Sequence, residues 1–285
     1  MKRQKQSSER DGKILPGPRI LLTNDDGLHA SGLNALRESL DELGEISIVA
    51  PARDHSGVSH SITYLHPVHC RAVIEAEGIP AYVVDGTPAD CVKLAILELL
   101  PEKPDLLVSG MNLGLNVGVS TFYSGTLAAA VEGAMFGVRS MAVSMEVLEP
   151  SDFATAGEIA AEVAETVMLE NLPPKVILNL NIPSASRRTS RELRITRLGV
   201  EFVGEYFEKR GRIGDEDAYQ IAVHMSNLPE DADTDVAAVM EGCISLTPIL
   251  LDTTAYGAIS SLEKIQFIGH PDFGKKTGRI RKGAK

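Results

Sequence analysis

The sequence predicts an α/β fold: a Rossmann-like, mostly parallel sheet with helices on both faces, and a smaller β-rich appendage at the C-terminal side. Three observations carry this prediction. Short apolar runs alternate with stretches in which leucine or alanine recurs at helical spacing. Residues 19–50 read as strand, helix and strand, a βαβ unit with an expected right-handed crossover. The run Asp105-Leu106-Leu107-Val108-Ser109 is apolar without alternation, as an interior strand of a parallel sheet should be.

Taken in order, Arg19 to Thr23 is the first strand, and Asn24-Asp25-Asp26-Gly27 is a polar turn at its carboxyl end. Ser31 is placed to cap a helix carrying Leu33, Leu36, Leu40 and Leu43, with Gly44 as a left-handed stop. Ile46 to Ala50 is the second strand, and Pro51 opens a dense polar loop containing Arg53, Asp54, His55, Ser56, Ser59, His60 and Ser61. Residues 62–84 hold short β-like pieces, read as a hairpin or an added strand. Thr87-Pro88-Ala89-Asp90 is a close variant of the capping box, with Thr87 at the N-cap and Asp90 three residues in.

After the 105–109 strand, the glycines and asparagines of 110–118 predict a loop with special backbone angles or close ligand approach. Ser124 caps a small-residue helix from Leu127 to Phe136. Ser140 to Met145 is a strand, Phe153 to Asn171 a long helix, and Val176 to Leu180 a strand. The chain therefore divides into a basic, solvated and disordered leader (1–18), an α/β core (19–185), a C-terminal subdomain and oligomer contact (186–269) and a basic tail (270–285). In the subdomain Leu193 to Leu198, Tyr219 to Met225 and Cys243 to Thr247 read as strands, and Thr234-Asp235 as a helix start.

Charge is divided unevenly. The whole chain carries −11, but residues 1–18 carry +3 and 270–285 carry +5, so the body between them holds −19. An acidic body argues against a nucleic-acid-binding core, leaving only the basic ends for such a contact. Cys70, Cys91 and Cys243 match neither a zinc pattern nor a disulfide framework, and their apolar neighbours predict buried thiols. With no signal-peptide h-region and no run long enough to span a membrane, a cytoplasmic location is expected.

The common nucleotide and hydrolase motifs are missing. There is no Gly-x-x-x-x-Gly-Lys-Ser/Thr loop and no Gly-x-Gly-x-x-Gly after the first strand, where Asp25 and Asp26 would repel a pyrophosphate. There is no Gly-x-Ser-x-Gly elbow. Taken alone, Asp25-Asp26 is either half of a hard-metal site or an acidic surface turn. In a parallel sheet, however, three strand ends converge on one edge. They bring Asp25 and Asp26, then Ser56 with His60, then Asn112 and Asn116. Carboxylate, hydroxyl and amide oxygens suit Mg²⁺, Mn²⁺ or Ca²⁺ better than zinc. Beside them, the helix start at Ser124-Gly125-Thr126 offers an oxyanion seat. A hard cation next to a phosphate seat is what a phosphomonoesterase needs.

At these residues the chain resembles the SurE survival proteins, metal-dependent 5′/3′-nucleotidases. The resemblance runs from about 19 to 269, through Asn24-Asp25-Asp26-Gly27, Ser59-His60-Ser61-Ile62-Thr63, Gly86-Thr87-Pro88-Ala89-Asp90, Ser109-Gly110-Met111-Asn112, Tyr123-Ser124-Gly125-Thr126 and Asn179-Leu180-Asn181-Ile182-Pro183. It implies one divalent ion per subunit, Mg²⁺ or Mn²⁺ (with Ca²⁺ able to substitute), held by Asp25, Asp26, Ser56 and Asn112. It implies hydrolysis of nucleoside 5′- and 3′-monophosphates by metal-activated water, which Asp25 or Asp26 also orients, with short polyphosphate as a side substrate. Asn24, Asn116, Ser124, Gly125 and Thr126 are the expected phosphate contacts. His60 is either the general acid for the leaving alkoxide or a loop histidine. The family's assembly implies a homodimer or homotetramer.

Overall fold

A computed structural model describes residues 9–10, 13–14, 17–74, 78–146, 149, 152–170, 172–188, 191–200, 204–224 and 231–265. The basic tail, and most of the leader, lie outside the described residues; within the leader, Glu9–Arg10 pairs antiparallel with Lys13–Ile14. Two compact units are present, Met1–Leu251 and Asp252–Lys285. The described part of the second contains one short helix, Tyr256–Leu262, whose Tyr256 hydroxyl donates to the Asp252 carboxylate.

The first unit is built on a nine-stranded sheet. Its strands in chain order are β1 (Arg19–Thr23), β2 (Glu45–Pro51), β3 (His69–Ile74), β4 (Pro80–Asp85), β5 (Leu106–Leu113), β6 (Arg139–Met145), β7 (Val176–Ile182), β8 (Leu193–Ile195) and, after a separate hairpin of β9 (Gly204–Ile213) and β10 (Glu216–His224), β11 (Ile244–Leu250). Across the sheet the order is β8-β11-β7-β6-β5-β1-β2-β4-β3. Pairings are parallel except where edge strand β3 meets β4 and where β11 meets β7. From β1 the chain first builds outward through β2 and β4, then returns to the other side of β1 to place β5. That reversal is the topological switch point, where open α/β sheets bind ligands beyond the strand ends.

Helices cover both faces. The side chains of β1 alternate, so Ile20 and Leu22 face one layer and Leu21 the other. The first layer is α1 (Ser31–Leu40) with α4 (Asp152–Leu169); the second is α2 (Pro88–Leu94) with α3 (Gly125–Met135). Leu33, Leu36 and Leu40 are at most 1% exposed, and each contributes about 1.5–3 kcal/mol by its burial. Among the described residues no helix is long and apolar enough to cross a membrane.

Several sequence expectations are corrected here. Ser31 is the first residue of α1, not its cap: Ala30 holds the N-cap position and makes no side-chain cap bond. Gly44 is required for proximity instead of a left-handed stop, since a Cβ there would lie 2.0 Å from the Pro18 carbonyl oxygen. The 110–113 segment is the end of β5, with a register break against β6 between Ser109 and Asn112. Gly110 made it look like a loop; its φ of +136° and the 2.3 Å from its would-be Cβ to the Val143 carbonyl oxygen are what the strand needs there. Strands β8 and β11 join the main sheet beside β7. Cys91 and Cys243 are buried, but Cys70 is exposed on edge strand β3.

The caps at Thr87, Ser124 and Thr234 form as read. Thr87 and Asp90 complete the reciprocal capping box, while Ser124 and Thr234 accept from Leu127 N–H and Ala237 N–H.

Candidate active site

The site is assembled at the carboxyl ends of β1, β2 and β5, which lie side by side and parallel. Asn24 shapes the first turn: its Nδ2 donates to Gly27 O at 2.9 Å and its Oδ1 accepts from Gly27 N–H at 3.1 Å. Gly27 sits at φ +103°, a conformation that closes the turn without a Cβ penalty. Asp25 and Asp26 lie within this turn, just beyond the strand end. The loop after β2 is tied to them, because His55 N–H donates to Asp25 O at 2.8 Å.

Asp25 is 3% exposed, and the start of α3 holds it. The Thr126 hydroxyl donates to Asp25 Oδ1 at 2.7 Å. Gly125 allows the approach: a Cβ there would lie 3.0 Å from both Cβ and Oδ2 of Asp25. The anion at the N-terminus of this helix is therefore the chain's own carboxylate, stabilised by the helix dipole and first-turn donors. Burial raises the Asp25 carboxyl above its ordinary value, and the Thr126 hydrogen bond opposes that rise. Asp26 is pushed up to about 6, by burial first, then by the charges of Asp25 and Asp54. Its Oδ2 is buried and, among the described residues, finds no hydrogen-bond partner.

Ser56 and Asn112 are each turned by a neighbour. Ser56 Oγ donates to Asp54 Oδ1 at 2.6 Å, and the same oxygen accepts Ser56 N–H at 2.7 Å. With its proton directed at Asp54, the Ser56 oxygen presents lone pairs to a cation. Those hydrogen bonds hold Asp54 below its ordinary value, so it remains an anion. Asn112 Nδ2 donates to Gly114 O at 2.7 Å, which commits the nitrogen and leaves the amide oxygen for a ligand. Among the described residues no three His, Cys, Asp or Glu side chains converge on a metal. Two carboxylates completed by a hydroxyl and an amide oxygen are the alternative, and this set fits a hard cation. The partnerless Asp26 Oδ2, which also feels the negative charges of Asp25 and Asp54, has the same physical requirement: positive charge.

A family model described as "Survival protein SurE" matches residues 20–205. The chain belongs to the SurE family. A Rhodopirellula baltica protein named 5′-nucleotidase SurE is 44% identical over 247 residues, covering 86% of this chain and 97% of that one. A protein of the same name from Symbiobacterium thermophilum is 39% identical over 248 residues, covering 86% and 97%. The crystal structure of the SurE protein from Aquifex aeolicus superposes with a TM-score of 0.74 at 36% identity, covering 86% of this chain and 98% of that one.

Within this SurE-family chain the other expected site residues take different places. Asn24 spends both ends of its amide on the turn, so its observed role is to shape Asp25 and Asp26. Asn116 is bound into a polar cluster: its N–H donates to Asn181 Oδ1, its Nδ2 to Ser144 Oγ, and its carbonyl accepts from Asn179 and Asn181. Thr126 spends its hydroxyl on Asp25. Ser124 Oγ accepts Leu127 N–H at 3.1 Å, which leaves its own proton to donate.

His60 pairs through Nε2 with Glu132 Oε2 at 2.8 Å, so only Nδ1 is open to a substrate. Glu132, on α3, is 2% exposed and also takes Lys93 Nζ at 2.6 Å. Burial alone would raise its carboxyl; hydrogen bonds from His60 and Lys93 outweigh that and hold it below the ordinary value. Glu132→Ala leaves the Lys93 ammonium and the His60 ring facing a cavity, and a loss of about 2 kcal/mol is expected, reduced from the full buried-pair cost because both partners are partly exposed. A urea melt checks it.

Sequence reading missed Asp54 and Glu132. Asp54 had a local signal: the Asx turn of Asp-x-Ser followed by Gly57 at φ +72°. Glu132 had none, since its partners are 72 and 39 residues away. A cavity of about 570 Å³ opens at the opposite, amino-terminal edge of the sheet, beside Arg19, Glu45, Glu102 and Asp105. Arg19 there is paired with Asp105 and Glu102, and none of the candidate metal or phosphate residues lines it.

Proposed function

We propose that this protein is a divalent-metal-dependent phosphomonoesterase that hydrolyses nucleoside 5′- and 3′-monophosphates, with short polyphosphate as a side substrate. The observation that carries the proposal is the buried, partnerless Asp26 Oδ2 next to Asp25, with the Ser56 and Asn112 oxygens turned by Asp54 and Gly114 to serve as donors. The names of the relatives, 5′-nucleotidase SurE, supply the substrate class.

Asp25, Asp26, Ser56 and Asn112 would hold one Mg²⁺ or Mn²⁺, with Ca²⁺ as a substitute. A bound cation supplies Lewis acidity toward phosphoryl oxygens and lowers the pKa of a water that attacks phosphorus. The chain's own residues do the rest. Thr126 fixes Asp25 at one carboxylate oxygen. The Ser124 hydroxyl proton and Gly125 N–H at the helix start donate to the phosphate and stabilise the charge that grows on its oxygens. Asn24 and Asn116 hold the two loops in place around it. His60 Nδ1 delivers a proton to the leaving alkoxide. The hairpin's exposed Tyr206, Phe207, Tyr219 and Ile221 support assembly as a homodimer or homotetramer.

Phosphate release from AMP, 3′-AMP and tripolyphosphate tests this reading. Activity should vanish with EDTA and return with Mn²⁺ or Mg²⁺; a folded protein with no metal-dependent release contradicts it. His60→Asn is expected to lower kcat about 100-fold, within the range of a general acid, while leaving metal affinity unchanged. An unchanged kcat removes His60 from the chemistry.

A further inference from the structure

We propose that Tyr123 is the platform on which the substrate's nucleobase stacks, an inference that rests on the nucleotidase reading. Tyr123 directly precedes Ser124, the cap of α3, and lies two residues from Gly125. Consecutive Cα atoms are about 3.8 Å apart, so its Cα is within about 7.6 Å of that of Gly125. That is the scale separating the phosphate of a nucleotide from its base.

Tyr123 is 56% exposed and Phe122 67%, two large rings projecting from one short 3₁₀ turn, Gly118–Tyr123. The turn itself is held at every point. Gly118 N–H donates to the buried Asp235 carboxylate at 2.8 Å, and Thr121 Oγ1 donates back to Gly118 O at 2.7 Å. At the other end Ser59 N–H donates to Tyr123 O at 3.0 Å, and Ser59 Oγ to Phe122 O at 2.6 Å. Ser59 makes both contacts from φ 55°, a strained conformation for a residue with a Cβ. A strained residue in the loop after β2, between Ser56 and His60, is thus committed to fixing the backbone beneath two solvent-facing rings. A rigid, exposed tyrosine loses little freedom when a flat ring packs on it.

Stacking also suits a substrate class defined by its phosphate. Every base has a π-face, so an aromatic platform accepts all of them, and it is worth about 1–3 kcal/mol per base. Successive residues of a 3₁₀ turn point about 120° apart, so Phe122 and Tyr123 cannot share a face. The ring next to the helix cap is the one assigned.

The test compares AMP with ribose 5-phosphate, which keeps the phosphate and sugar and lacks the base. In Tyr123→Ala the KM for AMP should rise about 5- to 150-fold, the equivalent of the stacking energy. The KM for ribose 5-phosphate should stay within about twofold, and Tyr123→Phe should restore the AMP value. The proposal is overturned by equal changes on both substrates, by Phe122→Ala carrying the effect instead, or by a smaller assembly of Tyr123→Ala on size exclusion, which would mark the ring as a contact between copies. A wild-type protein that releases phosphate from neither substrate removes the nucleotidase reading and the platform with it. An active wild type with any of the other outcomes removes the platform alone.

Discussion

Asp26→Asn should abolish metal-dependent phosphate release and, in the metal-free protein, raise stability. The second half follows from the sign of the Asp26 shift. Its carboxyl is raised from 3.8 to about 6 in the folded chain, chiefly by burial. A raised acid binds its proton more tightly folded than unfolded, so its contribution is fully present below about pH 4. It is lost as pH rises toward about 6 and stays lost above that. At pH 7.5 the metal-free wild type therefore carries the whole penalty, and the asparagine variant carries none. Allowing for solvent near a half-buried group, the gain is about 1–2 kcal/mol, or a few degrees in Tm. The same titration sets the pH dependence of the site: protons compete for Asp26, so Mn²⁺ affinity should fall as pH drops below about 6. A variant that loses activity but is less stable than the metal-free wild type would mean that Asp26 serves the fold.

Gly32→Ala should lower stability sharply. A Cβ at Gly32 would sit 2.1 Å from the Met111 carbonyl oxygen and 3.2 Å from Met111 Cβ. Met111 is fully buried, and the oxygen belongs to a strand, so neither side can yield cheaply. Helix α1 must move off β5, at about 3 kcal/mol. The displaced residue precedes Asn112, so metal affinity should fall together with stability. Loss of stability with wild-type Mn²⁺ affinity would show that α1 packing and the Asn112 position are independent. Denaturant melts and metal titrations on the same sample separate the two.

The parts of this fold that were legible in the sequence are those written locally. Helical leucine spacing in α1, the unalternating β5 run and the cap residues Thr87, Ser124 and Thr234 each act over a few residues, and these elements form there, with α1 ending at Leu40, one leucine short of Leu43. That Asp25, Asp26, Ser56 and Asn112 lie at one edge was legible because the parallel strands β1, β2 and β5 end side by side. What the sequence concealed depends on contacts between distant segments. Gly44 looked like a helix stop because its proximity to Pro18 has no sequence signature. The 110–113 strand end looked like a loop because the glycine that lets β6 approach resembles one that breaks a strand. Ser124-Gly125-Thr126 looked like a seat for phosphate alone. Only the fold brings Asp25, 101 residues earlier in the chain, onto Thr126.

That contact changes how the turn after β1 works. Asp25 is held in place by a helix start, Asp26 Oδ2 has no hydrogen-bond partner among the described residues, and Asp54 aims Ser56 without having to be a ligand itself. Calorimetric titration of the purified protein with Mn²⁺ at pH 7.5 tests this arrangement most directly. The account predicts one ion bound per chain in the wild type, lost in Asp26→Asn and in Asn112→Ala and retained in His60→Asn. Wild-type Mn²⁺ binding by either of the first two variants would contradict it.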